Sequence, residues 1–289
     1  MKNNILCICM CMCMLFLIAC SDLSAVRDTS TRLTNANNTW SAINSELPSS
    51  CQREARLNEK VLNCDDAIST AVGIDAVNKI LGEYFKALMD VATESKFTIQ
   101  PGLDKATKSV SQIPGIKKER VIAVSGLVSV ITQLSLNSVQ EHTLYQLIHD
   151  GVPYAKSVIN GLSEVLVTRL TNRLDNEKKQ VIGFYSGKLA YQRDEIVLDS
   201  YETCNGAKST NLSATGFLLV QDYCKRIELI EARKEAILTY QASLQDASEA
   251  LTELQSAGAR LDTRELAVKL YKIGVDLDTK IDAINKSFK

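Results

Sequence analysis

Residues 227–254 read IELIEARKEAILTYQASLQDASEALTEL. Ile230, Ile237, Leu244 and Leu251 recur every seven residues, and Tyr240, Ala247, Leu254 and Leu261 form a second series at the same interval. Two apolar positions per heptad, set among charged and polar residues, is coiled-coil spacing. It predicts a long helix from about Thr215 to Ser256 whose apolar seam meets partner helices, with Gly258 ending or bending it. Glu228, Glu231 and Glu235 alternate with Lys225, Arg226, Arg233 and Lys234 beside the seam and read as a solvated helix face.

The same period extends in both directions. From Tyr154 to about Thr203 no proline interrupts, and Leu162, Leu166, Leu170, Leu174, Val181, Phe184, Leu189 and Ile196 form a drifting stripe. This is a second long helix, with Gly183 and Gly187 as places to bend and Cys204-Asn205-Gly206 as the turn between the two. After Gly258, Asp262-Thr263-Arg264-Glu265 has the form of a capping box, followed by a last helix carrying Leu266, Leu270, Ile273, Leu277, Ile281, Ile284 and Phe288. Near the start, Val26, Leu33, Trp40 and Leu47 keep heptad spacing beside Ala36 and Ile43, so Trp40 reads as a core residue. Residues 65–94 carry Ile68, Val72, Val77, Leu81, Phe85 and Leu88.

Pro48, Pro101-Gly102 and Pro114-Gly115 punctuate these stretches, and Pro153 suits the first turn of a helix. No β-hairpin signal occurs. The expected fold is all-α: an elongated antiparallel helical bundle with coiled-coil-like packing, its two longest helices at about 154–203 and 215–256. Residues 121–136, VIAVSGLVSVITQLSL, carry no charge. A membrane span needs about 20 apolar residues. This run is shorter and includes Ser125, Ser129, Thr132, Gln133 and Ser135, so it reads as a buried central helix. Lys105, Lys108, Lys117, Lys118 and Arg120, interspersed with Asp104 and Glu119, read as a solvated loop and short helix.

At the N-terminus, Lys2 is followed by an almost wholly apolar run from Ile5 to Ala19, then by Cys20 and the polar Ser21, Asp22 and Ser24. A short basic start, an apolar core and a small residue before a cut are the parts of a signal peptide. Leu17-Ile18-Ala19-Cys20 resembles the lipobox of bacterial lipoprotein precursors. The resemblance implies that residues 1–19 are cleaved, that Cys20 becomes the acylated N-terminus, and that a single helical-bundle domain, 20–289, is tethered to a membrane. Ser21 is not the Asp that typically retains such proteins at the inner membrane. The resemblance therefore implies the outer membrane, on its periplasmic face or at the cell surface.

Cys7, Cys9, Cys11 and Cys13 fall in the removed segment and read as small apolar filler. Cys51, Cys64, Cys204 and Cys224 remain. An even number in an exported chain reads as two disulfides. Three pairings are possible, and the simplest is Cys51–Cys64 with Cys204–Cys224. A straight helix would separate Cys51 from Cys64 by about 20 Å, so that bridge requires the chain to turn back between them.

Chemistry is sparse. The chain has 33 basic and 34 acidic residues, and this balance gives no footprint for nucleic acid. The two histidines, beside Glu141 and Asp150 at His142 and His149, are seven apart rather than the four of a zinc-binding helix. Asp194-Glu195 has Arg193 beside it and reads as part of a solvated face. No nucleophile elbow, phosphate loop or di-iron pattern occurs, so no catalytic, metal or cofactor residue is assigned. The expectation is a non-enzymatic envelope protein that binds an envelope or secreted protein through helical surfaces, as scaffold or inhibitor. The alternatives are a membrane-active protein inserting residues 121–136, and a small-ligand carrier or hydrolase using a bundle cavity.

Overall fold

The computed structural model describes residues 23–58, 62–93, 95, 101–135, 140–192, 198, 204 and 212–287. Among these the chain is all-helical, without a strand. The elements are α1 (Ser24–Asn44), α2 (Glu46–Asn58), α3 (Asp65–Ala92), α4 (Leu103–Ser111), α5 (Lys118–Leu134), α6 (Gln140–Leu162), a π turn (Ser163–Val167), α7 (Thr168–Tyr191), α8 (Ala214–Ala257) and α9 (Arg264–Ser287).

The 44-residue α8 is the spine. Ser213 caps its start by accepting from the Gly216 N–H at 3.0 Å, and Gly258, at φ 58°, ends it in a conformation that costs glycine little. All eight residues of the two heptad series are buried, and Val220, Tyr223 and Ile227 extend the seam toward the N-terminus. Four helices meet this seam. α7 runs antiparallel to α8, with Asp175–Lys234 at 2.7 Å and Lys178–Glu231 at 2.6 Å. On α6, Lys156 donates to Thr252 at 2.8 Å. α9 runs antiparallel, pairing Lys269 with Glu253 and Lys280 with Asp246. Trp40 on α1 donates to Ser243 at 2.9 Å and meets the Tyr240 ring edge-on.

The apolar stripe expected near the start is buried throughout, Trp40 included, although α1 ends at Asn44 and Leu47 falls on α2. A polar seam runs beside it. Asn37 donates to the Asn78 carbonyl at 2.9 Å and Asn44 to Asp75 at 2.6 Å, so α1 and α3 lie antiparallel. On α3 the stripe is buried from Val77 to Leu88, but Ile68 and Val72 are exposed, because the inward turn there is made by Ala67, Thr70 and Ala71. The uncharged run of residues 121–136 falls largely on α5, which buries Val124, Leu127 and Ile131. No described helix is long and apolar enough to cross a membrane.

Several boundaries differ from the expectation. The second long helix does not start at Tyr154: described helical structure runs from Gln140 through Pro153 to Tyr191, and the expected end at about Thr203 lies outside the described residues. Proline removes the hydrogen bond to the carbonyl four residues earlier. That carbonyl belongs to His149, and the Gln255 side-chain amide of α8 reaches it at 3.5 Å. Gly151 lets α3 approach the same turn. A Cβ there would stand 2.6 Å from the Tyr84 ring, whose hydroxyl donates to the Leu147 carbonyl at 3.0 Å. The rod is re-phased at the π turn of residues 163–167 and not at Gly183 or Gly187. Leu162, Leu166, Leu170 and Leu174 step by four, and a widened turn keeps such a run on one face. Pro48 lies inside the first turn of α2 rather than after a helix. The α9 cap is Thr263, which accepts from the Leu266 N–H at 3.4 Å, so Asp262 does not head a capping box.

Candidate functional site

Cys20, Asp194 and Glu195 lie outside the described residues. The four remaining cysteines form two pairs at disulfide distance. Cys51 on α2 and Cys64 before α3 have Cα atoms 5.9 Å apart, and Cys204 and Cys224 on α8 are 5.4 Å apart. Both distances fall in the range that a bridge requires. His142 and His149 are exposed on α6. His149 stacks on Tyr145 with ring centroids 5.5 Å apart, and its Nδ1 lies 2.7 Å from Asp150. Among the described residues no group of three or more His, Cys, Asp or Glu could hold a metal ion.

The densest charged cluster is one the sequence did not announce. Glu46, Ser50 and Arg53 recur along one face of α2, opposite Glu177 of α7. Arg53 Nε donates to Glu177 Oε1 at 2.6 Å and a second guanidinium nitrogen to Oε2 at 2.9 Å. Ser50 donates to the same Oε2 at 2.7 Å. Arg53 also pairs with Glu46, and Arg233 of α8 stands 3.5 Å from it. Glu46 and Glu177 are both buried. Burial pulls the Arg53 guanidinium down, but its bonds to Glu177 and Glu46 outweigh that and raise it above its ordinary value. Both Glu177 oxygens are taken, so the chemistry here is clamping α2 to α7 and α8 rather than proton transfer. Beside the clamp opens a groove of about 430 Å³, with Glu54, Asp66, Arg169, Asn172, Arg173 and Asn176 on its walls. Arg173 and Glu54 stand 3.5 Å apart across it. An apolar pocket between α3, α4, α5 and α6 holds only about 20 Å³, the room of one water.

Beyond the clamp, α7 and the first half of α8 continue as a pair. Their contact is aromatic inside and ionic outside: Tyr185 lies 5.9 Å from Tyr223, and its hydroxyl donates to Asp222, which also accepts from Arg226 at 3.2 Å. Phe217, Leu218, Leu229 and Tyr191 are exposed on this pair. The Tyr185 hydroxyl and Arg226 hold Asp222 below the usual carboxylate range, the hydroxyl contributing most. Burial, then the Asp222 bond, push Tyr185 up to about 12. A phenol whose folded pKa is raised adds stability that is complete below its ordinary pKa of about 10 and lost as the pH climbs through the folded value. The pair is therefore expected to loosen between about pH 10 and 12. Asp222 works in the opposite sense, and its contribution fades as the pH falls below its ordinary pKa of about 3.9. In Tyr185→Phe, a carbon-detected NMR titration should find Asp222 at a higher pKa than in the parent. An unmoved value would mean that the hydroxyl does not hold it.

Comparison with known proteins adds no assignment: no family model, no curated protein and no solved structure matches the chain.

Proposed function

We propose that the chain is a bacterial lipoprotein precursor whose mature form, residues 20–289, is acylated on Cys20. We place it at the outer membrane, on the periplasmic face or at the cell surface. In this reading the mature protein is an elongated antiparallel bundle built on its two longest helical runs. It works without catalysis, as a scaffold or inhibitor that binds an envelope or secreted protein through a helical surface. It uses no cofactor and no nucleic acid.

One observation supports this reading most: the start of α1, four residues after Cys20, and the α7–α8 pair sit at opposite ends. Trp40 meets α8 at Tyr240 and Ser243, whereas Arg32, two turns earlier on α1, meets Asp278 of α9, and Lys280 two residues on pairs with Asp246. α1 therefore runs antiparallel to α8, and Ser24 lies near the turn after Ala257. Phe217 lies forty residues back along α8, about 60 Å at 1.5 Å per residue. An anchor at Cys20 would hold one end at the membrane and carry Phe217, Leu218 and Leu229 well away from it. Exposed apolar side chains rimmed by charges suit a protein partner.

The experiment has two parts. Intact mass of the protein from its own envelope should show cleavage before Cys20 and added acyl chains, and Cys20→Ser should abolish both. A photo-crosslinker at Leu218 or Leu229 should then capture one discrete partner, which Leu218→Lys with Leu229→Lys loses while the circular dichroism stays unchanged. A correctly acylated protein that captures the same set of proteins from either position and from α3 would sink the binding role.

A further inference from the structure

α9 is apolar on two opposite sides. Leu266, Leu270, Ile273, Leu277 and Ile284 face the core, while Val268, Tyr271 and Val275 make a second stripe on the far side, 61%, 67% and 41% exposed. Steps of three and four place those three on one face. The stripe lies beside α1. Arg32 of α1 stands over the Tyr271 ring at 5.8 Å and pairs with Asp278. Gly274 permits this approach, since a Cβ there would stand 2.6 Å from the Arg32 side chain.

Both α1 and α9 run antiparallel to α8, so they run parallel to one another. Ser24, eight residues before Arg32, therefore lies about 12 Å further back along the shared direction. That is the level of the first turns of α9, where Val268 stands. Packed helices are about 8–10 Å apart. Cys20 precedes Ser24 by four residues, a chain that spans at most about 14 Å. An acyl chain on Cys20 thus brings the bilayer surface within reach of the stripe. A phenol with an apolar body suits the headgroup boundary. The surrounding Arg264, Lys272, Asp276 and Asp278 are mixed in sign, so the contact does not depend on anionic lipid.

We propose that Val268, Tyr271 and Val275 rest on the bilayer that carries the Cys20 anchor, giving the mature protein a second membrane contact that fixes how the bundle leans. The proposal builds on the lipoprotein reading, but its test does not need the cell to acylate the chain. Residues 20–289 are produced without lipid and coupled through Cys20 to a maleimide lipid in phosphatidylcholine vesicles, with or without bromine on the acyl chains. Tyr271→Trp supplies the probe. The single native tryptophan, Trp40, is fully buried and serves as the unquenched reference.

Brominated lipid should quench the new tryptophan roughly twofold and shift its emission to the blue, as expected for a side chain at the headgroup boundary. Phe217→Trp, about 60 Å along α8 from the anchored end, should stay unquenched. Val268→Asp with Val275→Asp should abolish quenching at position 271 without changing the helical signal. An unquenched Tyr271→Trp in the tethered protein overturns the proposal. So does quenching that appears only at protein densities where the tethered chains dimerise, which would make a second copy the occupant. An unmodified Cys20 in the native envelope would remove the anchor reading, and is distinguishable because the tethered measurement does not pass through it.

Discussion

Glu177→Ala should cost the fold about 3–4 kcal/mol, the range for breaking one side of a buried ion pair. Glu177 is buried, and it accepts three hydrogen bonds from α2, two from Arg53 and one from Ser50. Its removal leaves Arg53 with Glu46 as the remaining acidic partner and leaves the Ser50 hydroxyl facing a cavity. Arg53 is itself only a quarter exposed, so water replaces the lost carboxylate poorly. Glu177→Gln keeps the volume and an acceptor but removes the charge, and should cost about half as much. Equilibrium urea unfolding at neutral pH measures both, with an unchanged slope showing that the loss is one of stability. A loss below about 1 kcal/mol for the alanine variant would mean that α2 is held by its apolar face alone.

Glu177 also shows why part of the molecule escapes its sequence. Leu170, Leu174 and Val181 form a stripe, and Glu177 occupies the position in register between Leu174 and Val181. An acid at an apolar position is the signal, but it looks like an ordinary interruption until Arg53, distant in sequence, is known to face it. The α8 heptads and the α1 stripe were legible because each seam is continuous and the physics is local. Cys51 and Cys64 come within bridging distance because the chain turns back between α2 and α3, the condition their spacing imposed. Pro153 misled because the apolar period runs on through it, and the His149 carbonyl it frees lies at an exposed turn within reach of Gln255. Ile68 and Val72 misled because periodicity says that a face is apolar, not whether another helix covers it. The heptads and the turn at Cys204-Asn205-Gly206 already put α7 beside α8, but not the exposure of Phe217, Leu218 and Leu229, because which part of a long helix stands free depends on where its neighbours end.

Trp40→Ala should be the most damaging single change in α1, at about 4–5 kcal/mol, the upper part of the range for emptying a large aromatic site. Trp40 is fully buried between α1 and α8, edge-on to Tyr240 with ring centroids 5.9 Å apart. Its indole N–H is satisfied by Ser243, whose own hydroxyl donates to the Tyr240 carbonyl at 2.7 Å. The variant therefore loses apolar burial, an aromatic contact and a buried hydrogen bond together, and neighbouring side chains on three helices cannot all collapse into the space. Trp40→Phe keeps most of the volume and should lose about 1–2 kcal/mol, the worth of the hydrogen bond and the poorer fit. Far-ultraviolet circular dichroism must follow the transition, since the variants carry no tryptophan. The alanine change should lower the midpoint by about 10 °C for a chain of this size. The location matters as much as the size. α1 is the element that joins Cys20 to the bundle, so hydrogen exchange should accelerate first along α1 and its α3 seam, with α7 protected for longer. Equal acceleration in α1 and α7 would mean that the two ends unfold as one unit, and that a pull on the anchor reaches the α7–α8 pair undiminished.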